Sequence, residues 1–362
     1  MTTGPLELAW YGADLRTGAV AEELRSLRPS GQIGRRIGSY TSVNFDLDLA
    51  GAPDEWESAT DPGRTLLVAV DTATEIPVWG GPVLTREGGS DDTVRLAAAT
   101  PEVYLDRRYP GAYAATGLDQ STVMAALAAP ALTGGPPITL ETVSSGIAID
   151  YTVVDGDDRS ILSYEQEIGA MAGGPELTAD VVWADAAHSR FAIVLRIRPT
   201  IGVQSDQPEA VFDMPGCIAS YSLAESYERG RGATCVVARG DRTGGERATS
   251  TTHQADALLA AGWPLWEHRW APGQGITSAD QLERHAAEAI ALMGTGSRSW
   301  SLQAEASRAP RLGSTWGLGD SVRLAVEYSP RHPRGVDVVA RAWGWTLDPA
   351  ADRLAPILLE DA

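Results

Sequence analysis

Hydrophobic and polar residues alternate along much of the first hundred positions, which predicts β-strands. The alternation is strict from Val43 to Leu49, as in a strand with one buried face. Two β-rich runs, Ile76–Arg86 and Thr93–Ala99, flank a turn rich in glycine, serine and aspartate, so they predict a hairpin. Further strands are predicted at Leu6–Tyr11 and Thr65–Val70. Short strands this close together are typical of a sandwich or a small barrel.

The middle of the chain combines helical and β patterns, and this mixture predicts an α/β insert. Ser121–Leu132 is alanine-rich and predicts a helix, which the glycine- and proline-rich Thr133–Pro137 ends. Ser163 is the predicted N-cap of a short helix, because a glutamine follows three residues later. Two strands are predicted beyond it, at Thr178–Trp183 and Phe191–Ile197. A smaller helical patch is predicted nearer the N-terminus, at Ala21, Leu24 and Leu27.

The C-terminal third is predicted to be β-rich with one long helix. Thr277–Asp280 opens this helix, which runs to about Met293 and ends before Gly294. One face of the helix is apolar and carries Leu282, Ala286, Ala289, Ile290 and Met293. The predicted strands are a pair before the helix, Cys217–Leu223 and Ala233–Ala238, and three strands after it, Ser299–Glu305, Ser321–Glu327 and Val336–Trp345.

The net charge of −19 limits the partners that the chain can bind. Forty-eight acidic residues stand against 29 basic ones, and all 29 are arginine. Duplex binding depends on basic side chains that displace counterions, so we expect no tight nucleic-acid binding. The lack of lysine, with few asparagines and phenylalanines, indicates a GC-rich gene. A length of 362 residues predicts two or three domains.

Features of targeting and redox chemistry predict a chain that folds in a cytoplasm. No apolar run is long enough to cross a bilayer, and the N-terminus lacks the basic and apolar regions of a secretory signal. We therefore expect no membrane anchor. Two cysteines, Cys217 and Cys235, are too few for a disulfide framework. We predict that they are buried thiols, although their strand-like segments could place them face to face.

The sequence contains none of the common catalytic or nucleotide-binding motifs. Its five histidines are scattered, and no two have the spacing of a helical zinc pair. His285 is predicted to lie on a solvated helix face. Asp155–Asp158 is predicted to be a charged turn, because its glycine and acidic residues do not match a calcium loop. We therefore expect no catalytic residue, no cofactor and no metal ion, and hence no enzyme.

A tryptophan cluster is the remaining candidate for binding chemistry. Trp263, Trp266 and Trp270 lie beside Glu267 and His268. Tryptophan favours cores and interfaces, so we predict a packing role for these rings. The alternative is a carbohydrate-binding or carbohydrate-active protein, because sugars stack on aromatic faces and glycosidases use paired carboxylates.

The order of these segments resembles that of the tail-tip proteins of long-tailed, siphovirus-type bacteriophages, known as baseplate-hub or minor tail proteins. The first hairpin and the segment after it are similar to the N-terminal barrel of that family. A later pair of segments resembles the return of the chain into that barrel, and the last helix and strands resemble the C-terminal barrel. The residues concerned are Pro77–Gly81, Val94–Leu96, Tyr104–Arg108, Gly216–Leu223 paired with Thr234–Gly240, Leu318–Leu324 and Val339–Trp345.

This resemblance implies a mainly β fold with an α/β insert (α+β), in which two tube-like β-barrel domains flank a mixed middle domain. The N-terminal barrel would occupy residues 1–112 and be completed by residues 210–245. The insert would occupy residues 113–209. The C-terminal barrel would occupy residues 246–362 and carry one helix near 278–293.

The resemblance also implies a structural role in the virion, at the tail tip, after assembly in the host cytoplasm. The partners would be two further copies in a homotrimer, distal tail or tail-tube proteins, the tape-measure protein, and receptor-binding or fibre proteins. Three chains would supply six barrels and form a ring for genome passage. An acidic lumen would let the genome slide, and Asp46 and Asp48 are candidates for its wall. A hub of a contractile injection particle is a related alternative.

Overall fold

Two seven-stranded β-sheets dominate the protein, whose computed structural model describes residues 6–243, 246–271 and 278–359. The first eight strands are β1 (Leu8–Asp14), β2 (Val20–Glu23), β3 (Leu27–Pro29), β4 (Ile33–Arg36), β5 (Ser42–Asp48), β6 (Thr65–Asp71), β7 (Pro77–Glu87) and β8 (Thr93–Ala99). Seven of them form the first sheet in the order β2-β1-β6-β7-β8-β5-β3.

The first sheet follows the predicted hydrophobic alternation. In β5, Val43, Phe45 and Leu47 are buried, and the residues between them are exposed or half-buried. The predicted hairpin is confirmed, since β7 pairs with β8 in an antiparallel register. Strand β6 is buried along its whole length, because one of its faces packs toward the second sheet and the other toward the middle of the chain.

The middle segment combines short strands and helices, as its mixed pattern predicts. Its elements are β9 (Tyr113–Asp119), α1 (Gln120–Ala128), β10 (Ile138–Thr142), β11 (Ala148–Val153), α2 (Ile161–Gly169), β12 (Glu176–Trp183) and β13 (Phe191–Arg198). Strand β13 pairs in parallel with β10 and antiparallel with β12, while β9 pairs with β11. Asp119 caps α1 by accepting hydrogen bonds from the amides of the first turn.

The second large sheet is formed by the C-terminal strands. They are β14 (Val211–Met214), β15 (Ile218–Ser226), β20 (Ser297–Glu305), β21 (Ser321–Val326), β22 (Val336–Asp348) and β23 (Arg353–Leu359). Their order is β14-β21-β22-β23-β20-β15. Between β15 and β20 lies a four-stranded unit made of β16 (Cys235–Thr243), β17 (Glu246–Thr249), β18 (His253–Gln254), α3 (Asp256–Ala260), β19 (Glu267–Trp270) and α4 (Ala279–Met293).

The two large sheets share one topology. In the first sheet, the chain runs through β3, β5, β6, β7 and β8, with β4 left out. In space, these five strands lie in the order β6-β7-β8-β5-β3. In the second sheet, the chain runs through β15, β20, β21, β22 and β23. These strands lie in the order β21-β22-β23-β20-β15, which matches the first sheet strand for strand. All the neighbouring pairs in both sets are antiparallel. The chain therefore contains two copies of one five-strand arrangement, although its sequence shows no repeat.

Strand β4 joins the two sheets. It lies between β3 and β5 in the sequence, but it pairs with β22, so that Ile33 stands opposite Leu347. The indole of Trp79 on β7 donates a hydrogen bond of 3.2 Å to the Gly34 carbonyl. The buried faces of both sheets then meet in one hydrophobic core, which includes Phe45, Trp79, Trp300 and Trp345.

Two local predictions in the first half of the chain are wrong. The helical patch does not form: Ala21 lies in β2, Leu27 begins β3, and Leu24 lies between these two strands of the first sheet, with Leu24 and Leu27 fully buried. The N-cap of α2 is Ser160 rather than Ser163, because the Ser160 hydroxyl accepts a hydrogen bond from the Ser163 amide at 3.3 Å. In the first case, strand pairing outweighs the helical spacing of the apolar residues. In the second case, the hydrogen bond to the Ser160 hydroxyl fixes the N-cap three residues earlier than predicted.

The predicted return of residues 210–245 into the first sheet is also wrong. Strand β14 pairs with β21, and β15 pairs with β20, so both belong to the second sheet. Strand β16 pairs with β17, β18 and β19 instead of with β15. Strands do form close to the two predicted positions, although Cys217 itself lies in the turn before β15, and the polar connection between the strands leads into a different sheet.

Helix α4 has the predicted length and the predicted buried face. Ser278 is its N-cap, and Met293 is its last residue. Thr277, also predicted to open the helix, lies outside the described residues. Leu282 and Ala286 are fully buried, and the rest of the predicted face is partly buried against the same core. The last strand, β23, was absent from the sequence prediction.

Candidate interaction surfaces

The connection between α3 and β19 exposes a group of large apolar side chains. Trp263, Leu265 and Trp266 expose 40%, 55% and 52% of their surface. The ring of Tyr227 lies beside both indoles, with centroid distances of 5.4 Å to Trp263 and 6.0 Å to Trp266. We call these four residues the aromatic surface. Contiguous exposed apolar area of this kind marks sites that bind proteins or other ligands.

Thr234 fixes the backbone of the aromatic surface. Its hydroxyl donates to the Pro264 carbonyl at 2.9 Å and accepts from the Trp266 amide at 2.8 Å. The Trp266 carbonyl in turn accepts from the amides of Thr234 and Cys235, both at 3.0 Å. The two exposed indoles therefore project from a connection that is hydrogen-bonded to β16, rather than from a loose loop.

Trp270 is separate from the aromatic surface and has a structural partner. Its ring stacks on His285 with a centroid distance of 3.7 Å. His285 is buried, and the Ala172 amide donates to its ring at 3.1 Å from Nε2 and 3.2 Å from Nδ1. Burial, with a smaller contribution from Arg284, lowers the pKa of His285 to about 4. The prediction of a solvated His285 is wrong, because this face of α4 packs on the turn after α2.

Glu267 and His268, the polar residues beside the predicted tryptophan cluster, do not provide a pair of carboxylates. The exposed Glu267 carboxylate lies 3.9 Å from the Arg269 guanidinium. Burial and the charge of Arg229 lower the pKa of His268, which is half-buried. The arrangement supports binding through aromatic faces more than hydrolysis, since a glycosidase places two carboxylates across the scissile bond.

The exposed face of the first sheet carries a cross-strand row of alternating charges. Arg28 on β3 stands opposite Asp46 on β5, and Asp46 stands opposite Arg95 on β8. Arg95 in turn stands opposite Glu87 on β7. Opposite charges at facing positions stabilise a sheet. Asp46 and Asp48 do alternate with buried residues as predicted, but the arginines beside Asp46 balance its charge.

The second sheet presents a face of small, uncharged side chains. Strands β15 and β20 pair along their length, and Ser222 stands opposite Ser301. The exposed or half-buried positions of these two strands include Ser220, Ser222, Ser299, Ser301 and Gln303. These faces are close to neutral, so the acidic excess of the chain is not concentrated there. Which face would line a channel depends on the ring, and the acidic lumen stays a prediction.

Two largely buried ion pairs connect the second sheet to the middle segment. Arg35 on β4 pairs with Asp180 on β12 and donates to the Ala179 carbonyl at 2.9 Å. Arg341 on β22 pairs with Glu176 on β12. A cavity of about 460 Å³ lies at this junction, and Arg35 and Asp180 line it. Asp180 also pairs with Arg196, whereas breaking the Arg341–Glu176 pair would leave a buried charge without its ion-pair partner, which is costly.

A third buried pair lies between the two sheets. Arg311, on the connection from β20 to β21, donates to Asp71 at the end of β6 through Nε at 2.7 Å. Burial tends to raise the pKa of Asp71, but hydrogen bonds from Arg311, Thr74 and the Ala73 amide outweigh it and lower the pKa. Arg35, Arg311 and Arg341 therefore hold the large parts of the chain together.

Two other sequence predictions concern thiols and metals. Cys217 and Cys235 are both buried and free, as predicted; Cys217 lies in the turn before β15, and Cys235 is the first residue of β16. Residues Asp155–Asp157 form a single exposed 3-10 turn. In the part of the chain that the structure describes, no three metal-binding side chains come together. Among the same residues, no helix combines the length and apolar character that a bilayer span requires.

Glu165 on α2 is a buried acidic residue that sequence reasoning missed. Its spacing from Leu162 and Ile168 places it on the apolar face of the helix, and this spacing is the signal that was available. Glu165 is 1% exposed, and neither carboxyl oxygen has a hydrogen-bond partner among the described residues. Burial raises its pKa well above the usual range.

Solved structures of phage tail proteins match almost the whole chain. The tail protein from Neisseria meningitidis has 13% sequence identity and a TM-score of 0.61, and the match covers 98% of this chain and 96% of that protein. The 43 kDa tail protein of prophage MuSo2 from Shewanella oneidensis has 13% identity and a TM-score of 0.59, with 98% of each chain covered.

A third match, prophage tail protein gp18 from Listeria monocytogenes, has 11% identity and a TM-score of 0.56, and covers 98% of this chain and 94% of that protein. No family model matches the sequence, and no curated protein matches it significantly. Identities this low report on the fold alone. The chain has the fold of phage tail proteins.

Proposed function

We propose that the chain is a structural component of a phage tail tip, a baseplate-hub or minor tail protein that joins the tail tube to distal tip or receptor-binding proteins. The observation that carries this proposal is the repeated five-strand topology in a fold that phage tail proteins share from end to end. A hub of this type has no need of an active site. The proposal therefore includes the absence of enzymatic activity.

The repeat supports a homotrimeric ring. Each sheet, with its buried face closed over the shared core, would act as one tube-like barrel, and three chains would supply six of them. A three-fold assembly needs two equivalent units per chain if it is to continue a six-fold tube. In domain terms, residues 1–112 would form the first barrel, residues 113–209 the insert and residues 246–362, together with β14 and β15, the second barrel.

The charge of the sheet faces fits genome passage. The exposed sheet faces offer no concentrated positive surface that could bind phosphates. Charges alternate at Arg28, Asp46 and Arg95, and the face of β15 and β20 is rich in serine. The ring would contact the tail-tube or distal tail proteins on one side. The tape-measure protein and receptor-binding or fibre proteins would complete its contacts in the virion.

The number of copies per particle tests the proposal. Purified particles that contain the chain should show three copies by quantitative mass spectrometry against an abundant tail protein of known copy number. Cryo-electron microscopy of the same particles should place the two sheets of each chain in six similar positions. Six copies, one copy, or a position outside the tail would overturn it.

The aromatic surface favours a second candidate function, binding of carbohydrate in the virion. Trp263 and Trp266 are half exposed, whereas most other indoles of the chain are buried or packed. A glycan array should then show binding that Trp263→Ala and Trp266→Ala each weaken at least tenfold. Tyr328→Ala is the matched control, because Tyr328 exposes 66% of its surface on another part of the chain. No binding, or binding that all three variants retain, would reject this candidate.

A further inference from the structure

A groove of about 250 Å³ lies beside α2, where the turn after β4, strand β12 and strand β22 meet. Three hydrogen bonds frame it. The Ile37 amide donates to the Trp343 carbonyl at 3.1 Å, and the Gly38 amide donates to the Leu177 carbonyl at 2.8 Å. The Gln166 side chain donates to the Gly38 carbonyl at 2.9 Å. The groove is therefore a built feature of the junction.

The walls of the groove are mainly apolar, and one buried acid lies among them. The apolar lining comes from Ile37, Leu162, Leu177 and Trp343, and two acids, Glu165 and the arginine-paired Glu176, complete it. Both oxygens of the Glu165 carboxyl are buried and lack a hydrogen-bond partner among the described residues. A buried polar group without a partner destabilises the fold, so native structures retain few of them. An unpartnered carboxyl in the wall of the groove points to a ligand that supplies the missing donor.

The surroundings of Glu165 favour a positive charge. The C-terminal turn of α2, with Gln166 and Gly169, lines the same groove, and this end of a helix carries partial negative charge. Of the other charged groups packed around α2, Glu176 is paired with Arg341, and the Ala179 amide donates to Glu102 at 2.8 Å. Asp106 and Arg107 belong to the 3-10 segment that also packs on α2. None of the residues that line the groove is basic within the described part of the chain.

We propose that this groove binds a single basic side chain, arginine or lysine, of a partner protein. Its cationic head would lie against the Glu165 carboxyl and the end of α2. Its aliphatic stem would cover Leu162, Leu177 and the ring of Trp343. When the cation enters, Glu165 releases its proton to solvent and becomes the carboxylate of a buried ion pair. The groove would act in this way whether or not the chain is part of a tail.

Butylguanidinium chloride is the probe, since it reproduces the stem and head of arginine. Its neutral analogue butylurea and the apolar n-pentanol are the comparison ligands. Chemical-shift changes at the Trp343 indole of the full chain should show saturable binding of butylguanidinium, with a Kd on the order of 1 mM for so small a ligand. Butylurea and n-pentanol should bind at least about tenfold more weakly.

The matched variants are Glu165→Gln, which keeps the shape of the side chain, and Glu102→Gln, which alters a buried acid outside the groove. Glu165→Gln should weaken butylguanidinium binding at least tenfold, and Glu102→Gln should leave it unchanged. Calorimetry in two buffers should show that protons are released when the cation binds, and the affinity should rise with pH. Equal binding of n-pentanol would identify an apolar occupant. That result, unchanged binding by Glu165→Gln, or the absence of proton release would each overturn the proposal.

Discussion

Acidification should weaken the attachment of α4 through His285. The neutral ring stacks on Trp270 and accepts from the Ala172 amide, and burial lowers its pKa to about 4. An unfolded histidine titrates near pH ~6.5. Because the folded pKa is the lower one, the stabilisation is present above the unfolded pKa and is lost as the pH falls toward the folded pKa. Between about pH 7 and about pH 5, linkage through this difference removes about 2 kcal/mol of unfolding free energy.

The assay compares the unmodified protein with His285→Gln, which keeps a polar side chain but cannot gain a proton. Urea unfolding followed by circular dichroism should give a pH dependence that is smaller in the variant by about 2 kcal/mol over the same interval. The resonance of the His285 ring, assigned by its loss in the variant, should titrate well below the pH of a free histidine.

A second variant provides a control of opposite sign. Burial raises the pKa of Glu165, so its protonated form stabilises the fold below the unfolded pKa, and this contribution is lost as the pH rises. Glu165→Gln should therefore make the loss of stability on acidification steeper, whereas His285→Gln makes it shallower. If His285 titrates near ~6.5, or if its variant keeps the full pH dependence, the buried neutral ring is not the cause.

Two further predictions concern buried groups. Asp71→Asn should lower the unfolding free energy by about 3–5 kcal/mol, because it leaves the Arg311 charge buried without its partner. Adding Arg311→Met should recover part of that loss, as measured by urea unfolding. A loss below about 1 kcal/mol would contradict the buried pair. Cys217 and Cys235 should resist a thiol reagent in the native protein, since both are buried and burial raises the pKa of Cys217 to about 11. Mass spectrometry should detect labelling only after unfolding, and rapid native labelling would disagree with the structure.

Elements whose partners lie nearby in the sequence were predictable. The alternation around Phe45 and the turn between β7 and β8 are local signals, and the structure places a strand and a hairpin there. The apolar face of α4 is also a local pattern, and it is buried as predicted. Each of these elements needs only one buried face, and the residues of that face repeat at the period of the element.

Features that depend on distant partners were not predictable. Leu24 and Leu27 have helical spacing, but they are buried between strands that pair with β1 and β5. His285 has charged neighbours in the sequence, yet its side chain meets the turn near Ala172. The three tryptophans close in sequence divide into two exposed rings and one that stacks on His285. In each case a contact far along the chain decides the burial.

Strand β4 has a consequence for the order in which the protein is synthesised and folds. Its four residues leave the ribosome early, but the edge of β22 that receives them appears about 300 residues later. Contacts that close such a long loop form late and slow the folding of a chain. Until the second sheet emerges, Ile33 therefore has no strand partner, and the core face of the first sheet is not covered. A ribosome-bound chain halted before residue 336 should remain sensitive to protease around β4, and release of the full chain should protect it.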